Sequence, residues 1–526
     1  MAAARHTSYD DVAYPSLSHR QTHPDTMATI GRLIGFPAAT VDRCRYLDIG
    51  CAIGGNLLPL AETFPEAEFV GIDYAPRQID EARRRAAALG LTNVKFECLD
   101  IRDIGSGLGT FDYIVAHGVY SWVPPDVRDR LLAVCKKLLR PQGIAYISYN
   151  TFPGWHLLGM IRGALRWGSR NASRPGERIA QATAYIEFIR GLVTDESSVV
   201  RGVLSLYDEK TRGRTDLPRE ALDALVLHDE LEDVNDPVYF HEFVDHAARH
   251  GLHYLCEADF ARTMHAELPP EVLQKVTSAS QDIIELEQHV DFVRNGTFRM
   301  SLLCHADIPI DRSIAIGADT LREMYAATLA RPAKRVRQKI PTGRLSFRAG
   351  NNAAITTDHP VSKAALLRLA ERSPLPIAFE ELADLAITDV YDSPRPDDAT
   401  IARDVALLAG NLVRGFGYSN QLIELSTVRP AFTNRVSRRP VAAGFARLIA
   451  TEGGCLVTNR RHQRVLLTEH QRQLLAMLDG TTSVDELHSW APSGPSAEGD
   501  GFDSGRTGNR VDEQLQWFAE SALLVS

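Results

Sequence analysis

Long apolar runs are missing from the 526 residues: none approaches the roughly 18 that a membrane-spanning helix needs, so no membrane partner is expected. Cysteine is sparse and unpatterned. Its seven residues (Cys44, Cys51, Cys98, Cys135, Cys256, Cys304, Cys455) are odd in number, scattered and without a C-x-x-C pair. That argues against a disulfide framework or a zinc site and for reduced thiols in a cytoplasmic compartment. Positive charge is not in excess either. A net charge of −9 disfavours sequence-independent nucleic-acid binding by the chain as a whole. The opening MAAARHTSYDD turns polar and acidic before any apolar stretch, so no secretory signal is expected there. A phosphate-binding P-loop is also absent: it needs Lys-Ser/Thr after its last glycine, and Asn56-Leu57 stands there instead.

What is present is ordinary for a globular protein, with 44% hydrophobic and 24% charged residues in a chain too long for one core. Residues 1–40 form a polar preface ending in a helix-like stretch, HPDTMATIGRLIGF. Over 41–170, strand-like runs (CRYLDIG, AEFVGID, VKFECLD, FDYIVAHG, IAYISY) alternate with helix-like ones such as PRQIDEARRRAAALG. This alternation predicts a Rossmann-like, doubly wound α/β sheet with helices on both faces. Residues 171–340 read as a helical middle domain. Residues 341–526 carry three helices and then a strand, LIELS, which suggests a winged-helix-like domain, with a Gly/Ser/Pro-rich loop expected at 491–509.

The first strand runs into LDIGCAIGGN. Gly50, Ala52 and Gly55 fit a dinucleotide fingerprint, while Asp48, Gly50 and Gly54 fit the acid-x-G-x-x-x-G loop of S-adenosylmethionine (SAM) sites, with Cys51 inside it. An acid two residues before Gly50 repels a pyrophosphate and suits the ammonium and sulfonium of SAM. The next strands end on Asp73, placed for a ribose diol, and on Asp100 with Ile101 beside it, placed for adenine. Any one acid alone reads better as a helix N-cap. Three at successive strand ends favour SAM over a nicotinamide cofactor, although Asp73 by itself fits both.

The first half resembles class I SAM-dependent methyltransferases. YPSLSHRQTHPD (14–25), AHGVYSWVP (116–124) and SYNTFPGWH (148–156) are similar to motifs of those carrying a methyltransferase regulatory domain. LHDELEDVNDPVYFHEFVDHAARHGLHYL (227–255) and EQHVDFVRNGTFRMSLLCH (287–305) resemble that regulatory domain. The family includes rickettsial protein lysine methyltransferases that modify an outer-membrane protein. The resemblance spans about 9–310, and more weakly the tail, where the loop at 491–509 departs from it. It implies a SAM-dependent transferase, with S-adenosylhomocysteine as product and protein or peptide lysines as the best-known acceptors.

Methyl transfer needs orientation, dryness and a deprotonated nucleophile but no metal. His117 and Tyr120 after the fourth strand are expected on the acceptor side, with Tyr149 and Trp155 after the fifth lining the pocket; His117 also abuts the cofactor. Tyr14 and His23 could fold over SAM as a lid. No Asn/Asp-Pro-Pro-Tyr follows the fourth strand and no Pro-Cys pair occurs, which points away from amide, base-amino and pyrimidine-ring acceptors. His241, His246, His250 and His253 invite a metal reading. His241 and His246 stand five apart, off one helical face; His246 and His250 are four apart and could chelate, yet no cysteine or second pair is near, so a structural cluster is expected and no metal. The basic clusters Arg435, Arg438, Arg439 and Arg460, Arg461, Arg464 suggest domain packing or an acidic partner rather than DNA. A small-molecule O- or N-methyltransferase and a SAM-sensing regulator without turnover stay open as alternatives. So does the oligomeric state, a homodimer included.

Overall fold

The computed structural model describes residues 12, 14–212, 217, 219–312, 317–334, 336, 340–391, 396–489 and 511–526, so the loop expected at 491–509 lies outside the described residues. Helix α1 (Pro24–Leu33) opens the fold. Strands β1 (Arg45–Ile49), β2 (Glu68–Asp73), β3 (Val94–Cys98), β4 (Phe111–Ala116) and β5 (Leu139–Asn150) are the expected five, and they pair in parallel in the order β3-β2-β1-β4-β5. Helices α2 (Leu58–Thr63), α3 (Pro76–Ala88) and α4 (Pro125–Leu138) lie between them. In α3, Pro76 supplies a preset first-turn φ, and Ile79, Ala82 and Ala86 make one buried face. Gly90, at φ 66°, closes its C-terminal end in the left-handed region.

The segment read as a helical middle domain departs from that reading. After helix Gly154–Gly168, which precedes it, the segment carries helices Pro175–Leu192, Val199–Arg212 and α5 (Phe240–Arg249), but also β6 (Leu252–Glu257) and β7 (Phe298–His305). Strand β7 inserts antiparallel between β5 and β6 and completes a seven-stranded sheet, β3-β2-β1-β4-β5-β7-β6. Each new strand holds only three consecutive apolar residues, Tyr254–Cys256 and Leu302–Cys304, too short a run to distinguish a buried strand from a buried helix segment. Arg299 of β7 locks this edge: its guanidinium donates to Asp291 (2.8 Å), Glu257 (2.9 Å) and Glu287 (3.0 Å), all buried.

The two sheet faces feed different cores. One, with Tyr46, Phe69, Tyr113 and Tyr146, runs on continuously into the helices Pro360–Arg372, Phe379–Val390 and Asp398–Tyr418. The other, with Tyr120, Tyr149, Phe240 and Phe243, is covered by α4 and α5. The tail therefore packs as two units rather than one. The expected three helices are followed by strand Glu424–Ser426, which joins a small sheet with Tyr325–Ala327 and Ile377–Ala378. Beyond it, helix Gly444–Thr451, the hairpin Leu456–Thr458/Arg464–Leu466 and helices Glu469–Ala476 and Val511–Glu520 enclose a separate core. Among the described residues no helix is long and apolar enough to cross a membrane.

Candidate active site

The loop after β1 turns sharply, with Gly50 at φ 83° and Gly54 at φ 77°, both requiring a residue without a Cβ. Ala52, which stands where a second glycine was expected, also takes positive φ (48°) and is fixed there by donating its N–H to Asp73 Oδ2 at 2.9 Å. Asp73 Oδ1 accepts from Ala75 N at 2.9 Å, so this acid caps the chain leaving β2 while facing the loop. Asp100 accepts from Arg102 N at 2.9 Å and pairs with the Arg102 guanidinium at 3.2 Å, with Ile101 half-buried beside it. Asp48, Asp73 and Asp100 thus stand at the carboxyl ends of adjacent strands, as expected.

Asp48 is buried, and burial together with the charge of Asp73 raises its pKa from 3.8 to about 7, against a lowering hydrogen bond from Asn56 Nδ2 at 3.3 Å. The same two carboxylates add to burial in pushing the Cys51 thiol well up, so it is an unreactive neighbour, not a nucleophile.

His117 is half-buried at the mouth of this loop. Its Nδ1 lies 2.8 Å from the Tyr146 hydroxyl, and its ring lies 3.8 Å from that of His19. Burial, helped by Arg464, lowers its pKa to about 4, and burial takes His19 well below the ordinary value too, so both rings are neutral at pH 7.

The preface covers the loop, though not through Tyr14. Ser16 Oγ accepts from Gly55 N at 2.8 Å, and His19 N donates to Asn56 Oδ1 at 3.1 Å. Tyr14 instead reaches Asp229 at 3.4 Å and packs beside His228. His23 caps α1 by accepting from Asp25 N, the helix-start reading, and its ring sits 5.4 Å from that of His462.

Tyr120, expected on the acceptor side, and Tyr149, expected to line the pocket, are both buried in one core. Both lie on the opposite sheet face from Tyr146: Tyr149 stacks on Phe243 at 4.0 Å and its hydroxyl meets Ser301 Oγ at 3.0 Å, while the Tyr120 hydroxyl meets His246 Nδ1 at 2.8 Å. Pleat alternation along β5 sends Tyr149 into that core, while Tyr120 reaches it from the short 3₁₀ turn Tyr120–Trp122 beyond β4. Trp155 is also buried, with the Lys210 ammonium 4.7 Å from its ring centroid.

The residues that sequence reasoning missed come from far away in the chain. His462, at φ 57° in the turn of the tail hairpin, donates from Nε2 to Asn56 Oδ1 at 2.8 Å. Glu62, at the end of α2, accepts from Gly444 N and Phe445 N, both at 2.8 Å, and pairs with Arg460 at 3.0 Å. Arg461 pairs with Glu424 at 2.6 Å, and Arg20 binds the same carboxylate. The basic cluster at 460–464 therefore serves domain packing. Asn56 was visible as the residue after the glycines, but no local pattern marks its partners.

Three family descriptions match the chain: a methyltransferase domain over 47–143, a predicted methyltransferase regulatory domain over 223–305, and a PKMT C-terminal winged helix domain over 438–490. An uncharacterized protein of Rickettsia prowazekii is 36% identical over 395 residues, covering 74% of this chain and 70% of that one. The structure of PKMT2 from Rickettsia typhi in complex with AdoHcy superposes with a TM-score of 0.81 at 30% identity, over 98% of this chain and 100% of that one. The residues fit SAM as cofactor. Asp48 and Asp73 raise the electrostatic cost of each other's charge in a buried loop, a situation that a bound cation relieves. Asp73 would take the ribose diol, Asp100 and Ile101 the adenine, and Asp48 the amino-acid ammonium. The chain belongs to the SAM-dependent methyltransferases that carry a methyltransferase regulatory domain and a PKMT-type C-terminal winged helix.

Proposed function

We propose that this methyltransferase acts on a protein and methylates lysine side-chain amines. The observation that carries the reading is the match to PKMT2 over nearly the whole chain, in which the winged-helix unit is no appendage: its His462 bonds the cofactor loop at Asn56.

SAM, when bound, supplies a methyl group already activated on a sulfonium, so the protein has to orient the acceptor, exclude water and present an uncharged amine. Burial deep enough to hold His117 at about 4 and His19 below the ordinary range also disfavours an entering ammonium, whose free pKa is about 10.4. The lysine therefore sheds its proton to solvent on entry, and its lone pair meets neutral walls. Tyr146 occupies His117 Nδ1, so any hydrogen bond from this ring to the acceptor uses Nε2.

Incubation with methyl-labelled SAM and fractionated protein from the producing cells tests the proposal. Label recovered as methyllysine after hydrolysis is the expected result, and label confined to small molecules overturns it. With the identified substrate, His117→Asn is expected to lower kcat by about 100-fold through misorientation. Its SAM affinity, read by calorimetry, should stay within a few-fold of the native protein.

A further inference from the structure

A second polar centre lies on the far face of the sheet, and methyl transfer makes no use of it. His246 on α5 and His250 at its C-cap stand four residues apart, with ring centroids 5.5 Å apart. Both turn Nε2 toward one oxygen, Oδ1 of Asp129 on α4, at 3.3 Å and 2.8 Å. One donor atom from each of the three residues falls within 4.8 Å of the others. The sequence offered no third ligand because Asp129 is 117 residues from His246. The fold supplies it by laying α4 and α5 side by side over one core.

We propose that Asp129, His246 and His250 bind a divalent first-row transition metal, Zn²⁺ foremost, leaving one coordination position open to solvent. The donor set is two imidazoles and one carboxylate, which suits Zn²⁺ and not the all-oxygen shells of Mg²⁺ or Ca²⁺. Tetrahedral bonds of about 2.0–2.1 Å place neighbouring donors about 3.3 Å apart. The His246–Asp129 separation already has that value, and the Asp129 side chain, 64% exposed, is free to retreat from His250 by the half ångström required.

Behind the ligands, the His246 Nδ1 is 2.8 Å from the buried Tyr120 hydroxyl. A metal on Nε2 fixes Nδ1 as the protonated nitrogen, which then donates to the Tyr120 oxygen and orients the ring. Tyr120 stands three residues after His117, so an occupied site would stiffen the segment that carries the half-buried histidine of the methyl-transfer site. This inference is independent of the lysine assignment, because binding is read without any acceptor.

The test uses the full-length, tag-free protein after chelator treatment, titrated with Zn²⁺ by calorimetry and with Co²⁺ by absorption spectroscopy. One Zn²⁺ per chain is expected, with Co²⁺ bands of a nitrogen–oxygen set and no thiolate charge-transfer band. Asp129→Ala, at an exposed side chain that the core does not need, and His250→Ala should each weaken Zn²⁺ binding by at least about tenfold. Tyr120→Phe should keep the stoichiometry with about tenfold weaker binding. Cys98→Ser, at an exposed thiol, should change nothing. No Zn²⁺ uptake by the native protein, a thiolate band, or binding lost in Cys98→Ser but retained in Asp129→Ala would each overturn the proposal.

Discussion

Asp48 places two opposed demands on one carboxyl. Folding buries it with Asn56 Nδ2 as its donor at 3.3 Å, and its proton affinity rises from 3.8 to about 7. A carboxyl so shifted binds its proton more tightly in the folded chain than in the unfolded one. Its contribution to stability therefore falls as pH rises from about 4 to about 7 and is level above that. At about 1.4 kcal/mol per pKa unit, the ionised group costs the fold about 4 kcal/mol at pH 8. Asp48→Asn is accordingly expected to resist urea better than the native protein at pH 8, with the gain shrinking toward pH 4. SAM recognition runs the other way: affinity of the native protein should weaken as pH drops below 7, while Asp48→Asn should be weak at every pH. A variant less stable than the native protein at pH 8 would remove the desolvation account. At this scale the sequence was informative about the acids, since Asp48, Asp73 and Asp100 each end a strand of visible pattern. It was uninformative about Tyr149, because which face of a pleat an aromatic takes depends on strand ends that composition does not mark, and about Tyr120, which leaves β4 on a short 3₁₀ turn.

Residues 14–19 carry no regular secondary structure, yet they seal the cofactor loop. Their seat depends on Gly55, whose N–H bonds Ser16 Oγ at 2.8 Å and whose Cα leaves no room for a Cβ beside the Ser16 carbonyl. Unlike Gly50 and Gly54, Gly55 has no positive φ, so alanine meets no backbone objection there and the substitution isolates the steric effect. Gly55→Ala is expected to unseat residues 14–19, at a cost of about 1–3 kcal/mol. Faster amide exchange over that segment and weaker SAM binding would report it; unchanged exchange would mean that the preface does not depend on this contact. The strands of the first half were legible from alternation with amphipathic runs. Strands β6 and β7 were not, since LHYLCE and FRMSLLCH each hold only three consecutive apolar residues, and the sheet edge they join decides their conformation.

Across the whole molecule, the tail grips the methyltransferase half through Glu62, whose two oxygens cap the amino end of helix Gly444–Thr451 while also pairing with Arg460. Glu62→Ala is expected to weaken that docking by about 1–2 kcal/mol. Limited proteolysis should then cut earlier between the two tail units, and SAM affinity should fall with it through the loss of His462 from Asn56. Unaltered SAM affinity despite faster proteolysis would separate docking from cofactor binding. The basic cluster at 460–464 pointed to domain packing, but its partners were not legible, because a contact between Asn56 and His462, 406 residues apart, leaves no periodic trace in either segment. The bond also sets an order in time. The glycine loop leaves the ribosome 406 residues ahead of His462, so a nascent chain carries Asn56 well before this partner exists.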